Sequence, residues 1–274
     1  MKILTKQNIK LLLKPREATS HKGNHGHALI IAGSKGKMGA AVIAAKACLR
    51  AGVGLLTVNV PKNERVILQT SIPEAMLVMR DDVEQNVSIF SAIGIGPGIG
   101  ISKHSEELLI NIITKLNKPL VLDADALNII AANKKLLPKI PKETILTPHP
   151  KEFDRLFGNH KNDEERINAA IKKAGQHNTI IVLKGHKTLI TYAGEAFLNT
   201  TGNAGLAKGG SGDALTGIIT AFLAQGYEPK TAAKLGVYLH GLAADITLEN
   251  QSVESMLITD VIECMGKAFK KIMK

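Results

Sequence analysis

The 274-residue sequence has no tryptophan, and aromatic residues make up only 3% of it. A surface that binds nucleic acid by base stacking needs aromatic platforms, so this scarcity argues against nucleic acid as a partner even at a formal net charge of +11. Cysteine is nearly as rare. Cys48 and Cys264 stand far apart in what read as helical segments, which fits buried thiols in the reducing cytoplasm rather than a disulfide framework. Long apolar runs are missing too: Ala40–Ala45 is cut off by Lys46 and Arg50, well short of the roughly 20 residues that cross a bilayer, so no membrane span is expected. The segment from Met1 to Pro15 is basic and holds the run Leu11–Leu13. It has neither the long apolar core nor the cleavage site of a secretory leader and reads as a short helix ended at Pro15. Neither HExxH nor paired CxxC spacings occur, nor a Gly-x-Ser-x-Gly elbow. His21, His25 and His27 alternate, a pattern we do not read as a metal site.

What is present is an ordinary core-forming share of apolar residues, 45%, distributed as β-rich runs, glycine-containing turns and helical patterns. Strands are expected at His27–Ala32, Leu55–Val60, Ile89–Ile93, Pro119–Leu122, Thr144–Leu146 and Thr179–Leu183. Helices are expected at Ala40–Ala51, Ser105–Leu116 and Glu164–Ala174. Near-continuous apolar strands alternating with helices indicate an α/β fold, a mostly parallel central sheet flanked by helices on both faces. A hairpin of Thr188–Tyr192 and Glu195–Leu198 follows, then helices over Asp213–Gln225, Lys230–Glu249 and Ile258–Lys271. No linker, repeat or low-complexity tract interrupts the chain, which predicts one domain over 1–274. The excess charge is partly accounted for by Lys267, Lys270, Lys271 and Lys274; it reads as a solvated surface that steers phosphates.

The densest chemical signal is NTTGNAGLAKGGSGD at 199–213, followed at once by an apolar helix. Glycines at 209, 210 and 212 allow close approach of backbone to a ligand. The helix N-terminus adds free N–H groups, so Gly210, Ser211 and Gly212 form a candidate anion hole for phosphate. Asp213 in that place reads as a general base for a hydroxyl that meets the phosphoryl group, or else as a simple N-cap. The helix terminus is expected to hold its pKa down.

Four further segments follow strands. GSKGKMG at 33–39 lacks the Walker and dinucleotide spacings and is either a ligand-wrapping loop, with backbone at Gly39 and Ala40, or a plain turn. GIGPGIG at 94–100 leaves ligand room at a strand's carboxyl end. Asp123 and Asp125 in LDADALN suggest Mg²⁺ held through water, or a substrate hydroxyl, or a helix cap. In TPHPKEF at 147–153, prolines fix His149 in one direction, and Glu152 could reach a magnesium-bound water. In LKGHKT at 183–188, Lys184 offers a cation to phosphate and Gly185 with the following turn can clasp a nucleotide, while His186 and Lys187 read as solvent-exposed.

These segments in this order, with YLHG at 238–241, resemble the ADP-dependent (S)-NAD(P)H-hydrate dehydratases, a carbohydrate-kinase-related family with a ribokinase-like fold. The resemblance covers nearly the whole chain. It implies a carbon–oxygen lyase that repairs hydrated NADH and NADPH with ADP as co-substrate and Mg²⁺ as cofactor, releasing AMP and phosphate. It also implies that Ala40, Gly98, His149 and Asp213 face the hydrated cofactor, and that Lys184, Gly185, His186, Lys187, Thr188 and Gly212 bind the adenine nucleotide. A homo-oligomer, often a tetramer, and a separate epimerase as pathway partner are implied as well. The rival reading is an ATP-dependent kinase of the same fold acting on a hydroxymethyl group.

Overall fold

The computed structural model describes residues 1–80 and 87–274. Its strands are β1 (Lys2–Ile3), β2 (His27–Ile31), β3 (Leu55–Val60), β4 (Met76–Met79), β5 (Ala92–Ile95), β6 (Val121–Leu122), β7 (Ile145–Leu146), β8 (Ile180–Leu183), β9 (Leu189–Tyr192) and β10 (Glu195–Leu198). The helices are α1 (Lys6–Leu12), α2 (Met38–Arg50), α3 (Arg65–Ser71), α4 (Lys103–Lys115), α5 (Ala124–Ala132), α6 (Pro150–Phe157), α7 (Asp163–His177), α8 (Ser211–Ala224), α9 (Pro229–Thr247), α10 (Ile258–Glu263) and α11 (Met265–Met273).

The strands form one ten-stranded sheet in the order β1-β10-β9-β8-β7-β6-β5-β2-β3-β4. From β8 to β4 every neighbouring pair is parallel, whereas β9 is antiparallel to both β8 and β10. Successive side chains of β2 part to opposite faces: Ala28 and Ile30 enter one apolar cluster, Leu29 and Ile31 the other. That is the period of two expected of a strand covered on both sides. The first cluster includes Ala44 of α2, Ile218 of α8, Leu235 of α9 and Val261 of α10. The second draws on α4 through α7, with Leu109, Leu127, Phe153 and Ala170. The expected α/β architecture is thus the observed one.

Sequence order reverses between β2 and β5, the place where open α/β sheets bind ligands beyond their carboxyl ends. Two glycine loops meet there. The Gly33 N–H donates to Pro97 O at 2.8 Å, and Ser34 Oγ to Gly98 O at 2.8 Å. Buried Arg80 braces the first loop, donating to the carbonyls of Ala32, Gly33 and Asn59.

Three expectations need correction. The strand expected at Ile89–Ile93 is a 3-10 turn at Val87–Ile89 followed by β5. Ile89 is 63% exposed, while Gly94 lies inside the strand, where a Cβ would meet Thr220 Oγ1 at 2.3 Å. The final helix is divided at Cys264, where the backbone N–H reaches both Asp260 O and Val261 O. The turn lets Ile258, Val261 and Ile262 bury on one side of it and Met265, Ala268 and Ile272 on the other. Cys264 is therefore only partly buried, unlike Cys48.

Candidate active site

Helix α8 organises the site. All of its residues from Ala214 to Ala224 are buried, and Gly217 lets it press on α2 so closely that a Cβ would lie 2.0 Å from Ala44 O. Gly210 occupies the N-cap with φ 94°, a left-handed backbone that glycine adopts without strain, and no side chain caps the helix. The Ser211 N–H turns back to Lys208 O at 3.3 Å, which departs from the expected anion hole, while no side chain takes the other N–H groups of the first turn. Asp213 stands in the first turn, so its reading as the N-cap falls away.

Its pKa also departs from expectation. Burial pushes the Asp213 carboxyl up to about 6, the neighbouring carboxylates of Asp123 and Asp125 add to this, and Lys184 pulls the other way. Desolvation and like charge outweigh the helix dipole that was expected to lower it. The result is a stronger base that is still largely ionised at neutral pH.

Asp123 and Asp125 are parted by Ala124, whose φ is 47°. Asp125 accepts the Gly100 N–H at 2.8 Å, tying the 94–100 loop to α5. Asp123 makes no cap bond. Its two oxygens meet Lys184 Nζ at 2.8 Å and Thr216 Oγ1 at 2.8 Å. Burial alone would raise the Asp123 pKa, but the Lys184 charge and the hydrogen bonds of Lys184, Thr216 and Thr147 bring it below the ordinary value. Burial works against the Lys184 charge as well, and Asp123 and Glu152 more than offset it. Gly212 belongs to the same cluster: a Cβ there would lie 3.2 Å from Lys184 Nζ and 3.4 Å from Asp123 Oδ2.

His149 is the N-cap of α6, with Pro150 in the first turn. Its Nδ1 accepts the N–H groups of Lys151 and Glu152 at 3.1 and 3.3 Å, which leaves the proton of the neutral ring on Nε2. Burial, then Lys184, keep the ring's pKa below its ordinary value. Glu152 completes the capping box by accepting the His149 N–H at 2.8 Å, and its Oε2 lies 3.9 Å from Lys184 Nζ. Burial raises its pKa.

A cleft of ≈ 660 Å³ brings together His149, Lys184, Gly185, His186, Thr188, Ser211 and Gly212. Gly185, His186 and Lys187 are exposed, and Lys187 is not part of the lining. Ala40 and Gly98 line a different place, the strand-order reversal, where a Cβ on Gly98 would meet Ala40 Cβ at 3.1 Å. Sequence reasoning gave no role to Asn199, Thr201, Lys208 and His240, which line the cleft, or to Thr216, which braces Asp123. Asn199, Thr201 and Lys208 lie within the 199–213 segment and His240 within YLHG, so the motifs marked their neighbourhood without giving them a role. A larger cavity of ≈ 910 Å³ lies between the segment after α1 and the ends of α2 and α8. Its cations are already engaged, Lys14 with Gly226 O and Arg16 with Gly52 O at helix C-termini.

A glycine-rich loop feeding a buried helix, with a carboxylate in its first turn at the carboxyl edge of a parallel sheet, belongs to an α/β enzyme of ribokinase-like architecture. A structure of a ribokinase-like superfamily protein from Enterococcus faecalis matches 99% of this chain with a TM-score of 0.89 at 30% identity, covering 96% of that chain. The family model described as NAD(P)H-hydrate dehydratase matches residues 28–267, and the chain belongs to this family. An ADP-dependent (S)-NAD(P)H-hydrate dehydratase of Bacillus subtilis is 36% identical over 97% of both chains. A crystal structure of the ADP/ATP-dependent enzyme of that organism, co-crystallised with ATP and Mg²⁺, gives a TM-score of 0.90 at 34% identity over 99% of this chain and 98% of the other. The bifunctional NAD(P)H-hydrate repair enzyme of Moorella thermoacetica is 36% identical over 99% of this chain, which spans only 54% of that protein's length.

Proposed function

We propose that this chain dehydrates the S epimers of hydrated NADH and NADPH at the expense of ADP, yielding NADH or NADPH, AMP and phosphate. The observation that carries this reading is Asp213, raised to about 6 and set in the first turn of an uncapped helix beside the Lys184–Asp123 pair. Asp213 takes the proton of the C6 hydroxyl as that oxygen attacks the terminal phosphoryl group of ADP, and AMP departs. The N–H groups at Gly210 and Gly212 hold the charge on the transferring group. Phosphate then leaves C6 as a proton leaves C5, restoring the nicotinamide double bond. Ala40, Gly98 and His149 hold the hydrated cofactor, while Lys184, Gly185, His186, Thr188 and Gly212 hold the nucleotide.

Among the described residues no group of three or more acids, histidines or cysteines could hold a metal ion. Mg²⁺ takes one or two carboxylates and completes its shell with water and phosphate. Glu152, 3.9 Å from Lys184 Nζ, would hold it through a bound water, and it would neutralise charge on the nucleotide phosphates. A single domain over 1–274 does this work, in a cytoplasmic homotetramer supplied with the S epimer by a separate epimerase.

Absorbance at 340 nm with hydrated NADH, Mg²⁺ and ADP, ATP or no nucleotide tests the reading. A rise that needs nucleotide, is largest with ADP and is lost in D213A supports it. No rise from folded protein, together with phosphate transfer from ATP to hydroxymethyl substrates, would replace it with the kinase.

A further inference from the structure

Among the described residues, two buried side-chain atoms have no hydrogen-bond partner, Thr179 Oγ1 and His240 Nε2. Thr179 lines neither of the cavities above, whereas His240, only 5% exposed, lines the nucleotide cleft. An unpaired buried nitrogen costs the free protein stability, and such atoms in a native fold call for a partner. In the empty protein Nε2 is covered as well as unpaired, so a ligand meets it by a turn of the ring and not by a shift of the helix. Thr201 Oγ1 donates to Tyr238 O at 2.9 Å, and a Cβ on the adjoining Gly241 would meet Thr201 Oγ1 at 2.4 Å, so this stretch of α9 is pinned against the 199–203 loop.

The rest of the cleft indicates what the partner is. Lys184 and the N-terminal turn of α8 at Ser211 and Gly212 select an anionic oxygen. Burial, and then the Lys184 charge, draw the His240 pKa down to about 4, so the ring is neutral at working pH and offers one N–H and one lone pair. A phosphoryl oxygen only accepts, which calls for the tautomer with its proton on Nε2.

We propose that His240 is a further nucleotide-binding residue, whose Nε2–H donates to a phosphoryl oxygen of the ADP in this cleft. This rests on the nucleotide reading above and adds a contact that the GSGD and KGHKT segments do not contain. The contact completes only when nucleotide is present, so His240 is a residue whose removal harms binding while relieving the empty protein.

The test is calorimetric titration of ADP into wild type, H240L and H240Q, with steady-state kinetics and thermal unfolding of the nucleotide-free proteins. Binding by wild type tests the nucleotide reading by itself; no binding by folded wild type overturns both. Given that binding, ADP affinity should fall about 10-fold in H240L, the worth of a hydrogen bond to a charged group, and stay within about threefold in H240Q. KM for ADP should rise in step, KM for hydrated NADH should hold, and the Tm of unliganded H240L should equal or exceed that of wild type. Unchanged ADP affinity in H240L, or a lowered Tm in both variants with both KM values raised together, overturns the His240 assignment and leaves the nucleotide reading standing.

Discussion

A carboxyl in the first turn of a buried helix is pulled two ways, and at Asp213 the sequence shows only one of them. The helix terminus is legible from the GSGD pattern, and it argues for a lowered pKa. Burial and the carboxylates of Asp123 and Asp125 come from other segments, and together they set the value at about 6. Because Asp213 must be ionised to act, kcat/KM should fall tenfold per pH step below about 6, and a flat profile from pH 5 to 8 would remove it from the role of base. The linked stability effect has the opposite sense. A carboxyl raised above its unfolded value favours the fold below its unfolded pKa, and that contribution is lost as pH rises through about 6. D213N should therefore unfold at a higher temperature than wild type at pH 7.5, with the difference shrinking at pH 5, while activity drops about 10²–10⁴-fold.

At the scale of elements, the strands that carry the site were readable from their apolar runs, but not all their ends, since β5 runs through Gly94 to Ile95 and past the glycine read as its end. What could not be read was which glycines are required by a neighbour distant in sequence. Gly94 is fixed by Thr220 and Gly217 by Ala44, contacts that only the packing of α8 against β5 and α2 reveals. The division at Cys264 escaped notice for the same reason, since the periodicity of 258–271 continues through it. Two substitutions on α8 should separate packing from chemistry. G217A forces backbone apart inside the core and should cost about 1–3 kcal/mol or more, seen as a lowered Tm. G212A sets a methyl 3.2 Å from Lys184 Nζ, the movable end of a side chain, and should leave Tm nearly unchanged while weakening ADP binding. If G212A instead lowered Tm as much as G217A, Gly212 would be a packing residue and its place in the anion hole would be lost.

Across the whole molecule, the sheet explains why segments scattered from residue 33 to residue 213 act together. The parallel strands β2, β5, β6, β7 and β8 end on one edge, so the loops after them converge at the reversal of strand order and beside it. The order of motifs along the sequence implied this edge; the pairing of Asp123 with Lys184 across it did not follow from either segment alone. The formal charge of +11 acts at this largest scale, because it belongs to the whole chain and, with part of it at Lys267, Lys270, Lys271 and Lys274, to none of the site motifs. Both substrates of the proposed reaction are anions, so the field should raise their encounter with the cleft and do so less as salt screens it. Hydrated NADPH carries one phosphate more than hydrated NADH, about two further negative charges at neutral pH. The logarithm of kcat/KM should therefore fall more steeply with ionic strength for hydrated NADPH than for hydrated NADH, measured between low salt and about 0.2 M at saturating ADP, where the Debye length is already below about 10 Å. Equal slopes for the two would show that the cleft does not feel the net charge and that the lysines are there only for solvation.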